Sequence, residues 1–155
     1  MRGIFLRNYQ VDDKKYQRND CIPHATAREP LFDFFRKETK PVFVYDEGDE
    51  IYKVEMNGIV FVCEEYIKEF DKYALKLADA YERKLGDIIA FMLPEISSFF
   101  EISDPEIIRS KLGKPMIDVN RCVITYLEHT LDYMHIIDVE FDGIFEKFYY
   151  ITIDG

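Results

Sequence analysis

Between Ile51 and Met92 the hydrophobic period of this chain changes once, from two to between three and four. That change dictates a strand hairpin followed by a long helix. The hairpin is IYKVEMNGIVFVC, turning at Asn57-Gly58. Asn-Gly suits a two-residue type I′ turn, in which both positions need positive φ. Such a loop pairs Met56 with Ile59, Val54 with Phe61 and Tyr52 with Cys63, all apolar on one face. The other face sets Lys53 and Glu55 across from Val62 and Val60. Turn chemistry and side-chain pattern agree, so the register is predicted together with the hairpin. Just upstream, PVFVYD reads as a short strand and EGDE as its turn.

From Glu64 onward, Tyr66, Phe70, Tyr73, Ala74, Leu77, Tyr81, Leu85, Ile88 and Met92 form one apolar stripe, with charged residues opposite. A stripe of this kind predicts core packing, not a cofactor site. The helix is expected to bend near Gly86 and to finish before Pro94, with LPEISSFFE adding another turn or two. SDPEIIRSKLGKP is a second, short helix: Ser103 or Asp104 caps it, Pro105 takes the first turn, and Gly113 and Pro115 stop it.

The segments MIDV, CVITYLEH, MHIIDVEF and FEKFYYITI then alternate as an antiparallel meander. In the third, Ile137, Val139 and Phe141 face the core while Asp138 and Glu140 point away. In the last, Phe145, Tyr149, Ile151 and Ile153 are expected inside, with Phe148 and Tyr150 on the second face. That register needs a three-residue connection with a left-handed Gly143. Upstream, GIFLRNY reads as a strand and the stretch from Pro30 as a short helix with Leu31, Phe34 and Phe35 on one face. The predicted architecture is α+β, one globular domain over residues 1–155. Hairpin and meander strands surround the long helix, the C-terminal meander having three or four strands.

The chain is 155 residues long and 48% hydrophobic, enough to bury a core without disulfide or metal staples. Cys21, Cys63 and Cys122 are far apart, form no CxxC pair and are expected to be buried thiols in a reducing compartment. The N-terminus has no signal-peptide pattern, and no apolar run approaches a membrane span. A soluble, cytoplasmic protein is the expectation.

Formal charge is −10, unevenly spread. Residues 1–40 carry nine basic against six acidic residues, residues 41–127 ten against seventeen, and residues 128–155 one against seven. An acidic surface repels phosphates, so nucleic acid is not an expected partner; a basic protein is. Asp46, Glu47, Asp49 and Glu50 make one acidic turn, and Asp138, Glu140 and Asp142 a second patch. Both are candidate partner contacts.

His129, Asp132 and His135 stand in HxxDxxH spacing. A zinc or iron ion needs three or four donors converging on one point. In a strand Asp132 would face away from both histidines, so convergence requires a turn over residues 130–133, with Glu128 as a further donor. Hydrogen-bonded structural histidines are the leading expectation, a metal site the alternative. Cys21 and His24 are close in sequence but do not establish a nucleophile–base pair. No glycine-rich phosphate loop, nucleophile elbow or HExxH motif occurs, and no cofactor is implied.

The stretches LGKPMIDV, YLEHTLDYMHIIDVEFDG and FEKFYYITIDG resemble the C-terminal portion of small acidic bacterial proteins of unknown function, a type often encoded as immunity proteins beside secreted toxins. The resemblance spans roughly the last third of the chain. It implies a bacterial, non-enzymatic protein that binds and neutralises a basic toxin domain, and it brings no catalytic residue. The alternatives are a small metal-dependent hydrolase using His129, Asp132 and His135, and a homo-oligomeric interaction protein, with a homodimer as its simplest form.

Overall fold

The computed structural model describes residues 42–155. The strand and helix expected before Pro41, and Cys21 with His24, lie outside them. The elements run β1 (Val44–Asp46), β2 (Ile51–Met56), β3 (Ile59–Cys63), α1 (Glu69–Phe100), α2 (Pro105–Lys111), β4 (Met116–Asp118), β5 (Val123–Tyr126), β6 (Ile136–Asp142) and β7 (Lys147–Asp154).

All seven of these strands join one sheet in sequence order. Every neighbouring pair is antiparallel except β3 and β4, which are parallel. The hairpin pairs as its turn requires: Met56 opposite Ile59, Val54 opposite Phe61, Tyr52 opposite Cys63. Both turn residues have positive φ, 52° at Asn57 and 73° at Gly58. The parallel step between β3 and β4 is bridged by α1 and α2, because parallel strands need a long crossover.

The cross-strand register builds one apolar row, Val54, Phe61, Ile117, Ile124, Val139 and Ile151, across six strands. On this side α1 buries Phe70, Tyr73, Ala74, Leu77, Tyr81, Leu85, Ile88 and Met92, the predicted stripe less Tyr66. Tyr66 precedes the helix and stacks on Tyr52 instead. Fully burying one large apolar side chain contributes about 1.5–3 kcal/mol, so the helix is held by this face rather than by propensity. Its first turn is tied down by buried Asp71, which accepts hydrogen bonds from the Val42 backbone at 3.1 Å and the Tyr66 hydroxyl at 2.9 Å.

Cys122, expected as a thiol, is disulfide-bonded, and three expectations of the fold are corrected. The helix does not finish before Pro94; it continues through it to Phe100. Proline removes one backbone hydrogen bond, but Ile96 beyond it is fully buried, and that packing outweighs the local loss. Second, the β6–β7 connection has four residues, Gly143–Glu146, with Asp142 opposite Lys147. Gly143 is left-handed as expected (φ 62°), and so is Phe145 (φ 56°).

Third, the register shifts by one residue between Val139 and Phe141. Phe141 pairs with Phe148, whereas Val139 pairs with Ile151, so Glu140 faces both Tyr149 and Tyr150. This bulge turns Phe148 to the core side, where its ring stacks on Phe91 at 5.4 Å. Ile151 and Ile153 lie inside as expected. Phe148 was expected outside and Tyr149 inside; the bulge reverses both.

Helix α2 has the predicted punctuation. The Asp104 carboxylate accepts from Glu106 N at 2.9 Å, Pro105 occupies the first turn, and Gly113 follows the last with φ 68°. A Cβ at Gly113 would lie 2.6 Å from the Glu128 carbonyl oxygen, so both conformation and space call for glycine.

Candidate functional site

The face of the sheet turned away from α1 carries no helix among the described residues. Two rows cross it. One is Glu55, Val60, Met116, Thr125, Asp138 and Thr152; the other is Lys53, Val62, Asp118, Val123 and Glu140. Alternation along each strand therefore puts the carboxylates on the side opposite the core.

On the half of this face formed by β4 to β7, Asp118, Asp138, Glu140, Asp142 and Asp154 share one side, accompanied by Arg121 and Lys147. Arg121 binds Asp118 at 2.6 Å. Asp118 is itself buried and also accepts the backbone N–H groups of Asn120 and Arg121. Asp138 receives the Thr125 hydroxyl at 2.5 Å. Partial burial raises the Asp138 carboxyl above its ordinary range, against the pull of the Thr125 hydrogen bond and Arg121. Burial raises Glu140 in the same direction. Asp142 accepts the Tyr149 hydroxyl at 3.2 Å, and Lys147 lies 4.7 Å over the Tyr149 ring.

Toward β2 and β3 the same face deepens into a groove of about 690 Å³. Val60, Val62 and Met116 form its apolar floor, and Glu50, Glu64 and Glu128 stand along its rim. Its cations are matched within the protein: Lys114 binds Glu55 at 2.8 Å, Arg121 binds Asp118, and Lys53 binds Asp46 and Asp49. Cys63 borders it, but burial first, then Asp118 and Asp71, push its thiol up to about 12, the opposite of an activated nucleophile.

Of the first acidic turn, Asp46 and Asp49 are engaged internally. Asp46 accepts Gly48 N at 2.9 Å and Asp49 N at 3.3 Å and pairs with Lys53. The Lys53 hydrogen bond, then these backbone bonds, lower its carboxyl below the ordinary range. Glu47 and Glu50 remain exposed. Strand β6 lies four strand spacings from β2, about 19 Å at roughly 4.8 Å each. Asp138, Glu140 and Asp142 do come together, but not with the Asp46 turn.

His129, Asp132 and His135 lie in the loop joining β5 to β6. Leu131 N donates to His129 Nδ1 at 3.2 Å, which places the ring proton on Nε2; that nitrogen meets the His135 carbonyl oxygen at 2.7 Å. Both nitrogens of buried His129 are therefore engaged. Asp132 accepts the backbone N–H groups of Met134 and His135, each at 3.1 Å, and its second oxygen meets His135 Nδ1 at 2.5 Å. Phe99 and Phe100 flank the His135 ring. The three residues staple a loop. Among the described residues no group of three or more His, Cys, Asp and Glu side chains is placed to hold a metal ion.

Asp118, Arg121 and Asp154 belong to this face but are not among the candidates that the sequence marks. The alternation of MIDV held the signal for Asp118, since it must oppose Ile117. Arg121 had none, because its place depends on the tight turn after β4. No helix among the described residues is long and apolar enough to cross a membrane. No family model, curated protein or solved structure matches the chain.

Proposed function

We propose that this is a non-enzymatic bacterial binding protein that recognises a basic protein domain, most specifically an immunity protein that neutralises a toxin. The observation that carries the reading is the row Asp138, Glu140 and Asp142 beside Asp118 and Asp154, five carboxylates facing Arg121 and Lys147 on the face away from α1. Asp138 and Glu140 are held partly desolvated, so their ionisation is costly in the isolated protein. A cationic partner relieves that cost, and long-range attraction accelerates encounter. Exposed Tyr150, on the neighbouring strand, offers an aromatic anchor.

The acidic face and the Asp46 turn fit within one partner footprint. A standard interface covers about 800 Å² on each side, roughly 30 Å across, wider than the five strand spacings, about 24 Å at roughly 4.8 Å each, from β1, which ends at Asp46, to β6. The apolar-floored groove between them suits the aliphatic stems of lysine or arginine, whose heads then reach the rim carboxylates.

The test uses the full chain as bait in extract of its native bacterium, at low and high salt, beside the variant Asp138→Lys/Glu140→Lys. A basic protein should be retained by the wild type at low salt and lost with the variant. Co-expression with the wild-type chain should then protect cells from that protein's toxicity. Equal retention by the variant, or a captured protein whose toxicity the chain leaves unchanged, overturns the reading.

A further inference from the structure

We propose that β7 is a self-pairing edge through which two copies of this chain join their sheets, antiparallel, into one continuous sheet. The inference does not depend on the toxin-binding reading. β7 is the last strand of the sheet and is eight residues long, Lys-Phe-Tyr-Tyr-Ile-Thr-Ile-Asp. Among the described residues nothing pairs with its outer side. Aromatic and β-branched residues fill it, and it contains no proline, so the backbone groups of its outer side can template another strand.

The strand is complementary to itself. Full antiparallel overlap places Lys147 opposite the second copy's Asp154, Phe148 opposite its Ile153 and Tyr149 opposite its Thr152. Symmetry repeats each pair, so a cation meets a carboxylate at both ends. Asp154 already has an interaction within its own chain. A carboxylate offers about four acceptor positions and can accept from more than one donor.

The bulge decides whether the faces agree. In a regular strand this register would set residues of opposite faces against each other, because side chains alternate with period two. The one-residue shift opposite Glu140 changes the parity between the two ends of β7. Lys147 and Asp154 consequently share one side of the sheet, and Phe148 and Ile153 share the α1 side. A bulge on an edge ordinarily discourages pairing. Here it disturbs only the central pair, Tyr150 with Ile151, and brings the flanks into agreement.

A second feature lies at the same edge. Tyr133 and Met134 are 93% and 79% exposed, a degree of exposure uncommon for adjacent large apolar residues. They sit at the Asp154 end of β7: a Cβ built on Gly155 would lie 2.6 Å from the Met134 carbonyl oxygen. In the paired arrangement this patch meets the second copy near its β6–β7 turn.

Sedimentation of the full chain over a concentration series tests the proposal. A monomer–dimer equilibrium is expected. Lys147→Asp and Asp154→Lys should each weaken it about tenfold, since each sets like charges opposite each other twice per dimer. The double charge swap should restore it. A monomer at every concentration, or a dimer indifferent to the single variants or not restored by the swap, overturns the proposal. Hydrogen exchange on the wild type removes any dependence on variant folding: β7 amides should exchange more slowly as concentration rises. Exchange independent of concentration overturns it equally.

Discussion

The hydroxyls of Tyr81 and Tyr126 meet at 2.8 Å in the buried seam between α1 and β5. Each is the other's polar partner, and Tyr126 is fully buried. Burial raises both phenols, Tyr81 to about 12 and Tyr126 well above its ordinary value. Removing one hydroxyl strands the other. Tyr126→Phe should therefore cost about 1–3 kcal/mol in urea unfolding, the range for an unsatisfied buried polar group. Tyr81→Phe/Tyr126→Phe together should cost less than the sum of the single variants. Additive losses would show that the pair is not a coupled unit.

Two glycines should respond in opposite directions to alanine. A Cβ at Gly86, on the exposed side of α1, meets nothing within 4 Å. Gly86→Ala should raise stability by about 0.5–1 kcal/mol through helix propensity and unfolded-state entropy. Gly113→Ala faces a left-handed φ and the Glu128 carbonyl, and should cost at least about 2 kcal/mol. Thermal unfolding of both variants checks the contrast. A destabilised Gly86→Ala would mean that the expected bend near this residue is a real requirement.

These cases show which parts of the fold were legible in the chain. The Asn57-Gly58 hairpin, the α1 stripe and the ends of α2 were readable because neighbours in sequence determine them. Pro94 was misleading: its cost is local, while the burial of Ile96 that offsets it is tertiary. The bulge in β7 opposite Glu140 was invisible because it serves the contact of Phe148 with Phe91, 57 positions away. The parallel join of β3 to β4 spans the whole of α1 and α2, and no local signal marks it. Asp138 and Glu140 were placed on the outward face by simple alternation. The HxxDxxH spacing revealed residue types but not the two ring nitrogens of His129 already in use.

The staple at Asp132 should report as an acid-sensitive element. Burial works to raise its carboxyl, but the His135 side chain and the two backbone N–H groups outweigh it and hold the group down to about 2. A carboxylate lowered on folding stabilises above its unfolded value, about 3.9. That contribution is lost as pH falls from about 4 toward about 2. Asp132→Ala should cost about 1 kcal/mol at neutral pH, comparable to losing a helix cap. The difference from wild type should shrink below pH 4. A pH-independent difference would assign the loss to packing instead.

Asp138 should behave in the opposite sense. Its carboxyl is raised on folding, so its ionised form is the strained one. The stability associated with the protonated group is fully present below the unfolded value of about 3.9 and declines as pH rises through the folded value. Asp138→Asn keeps an oxygen for the Thr125 hydroxyl but removes the charge. At neutral pH the variant should be as stable as the wild type or more so, by about 0.5 kcal/mol. Near pH 3 the advantage should vanish. Paired urea titrations at pH 7 and pH 3 measure both limits. A gain at pH 7 combined with slower capture of a basic partner would identify Asp138 as a group whose charge serves recognition at the expense of the fold. A loss at both pH values would make it a structural acceptor for Thr125 alone.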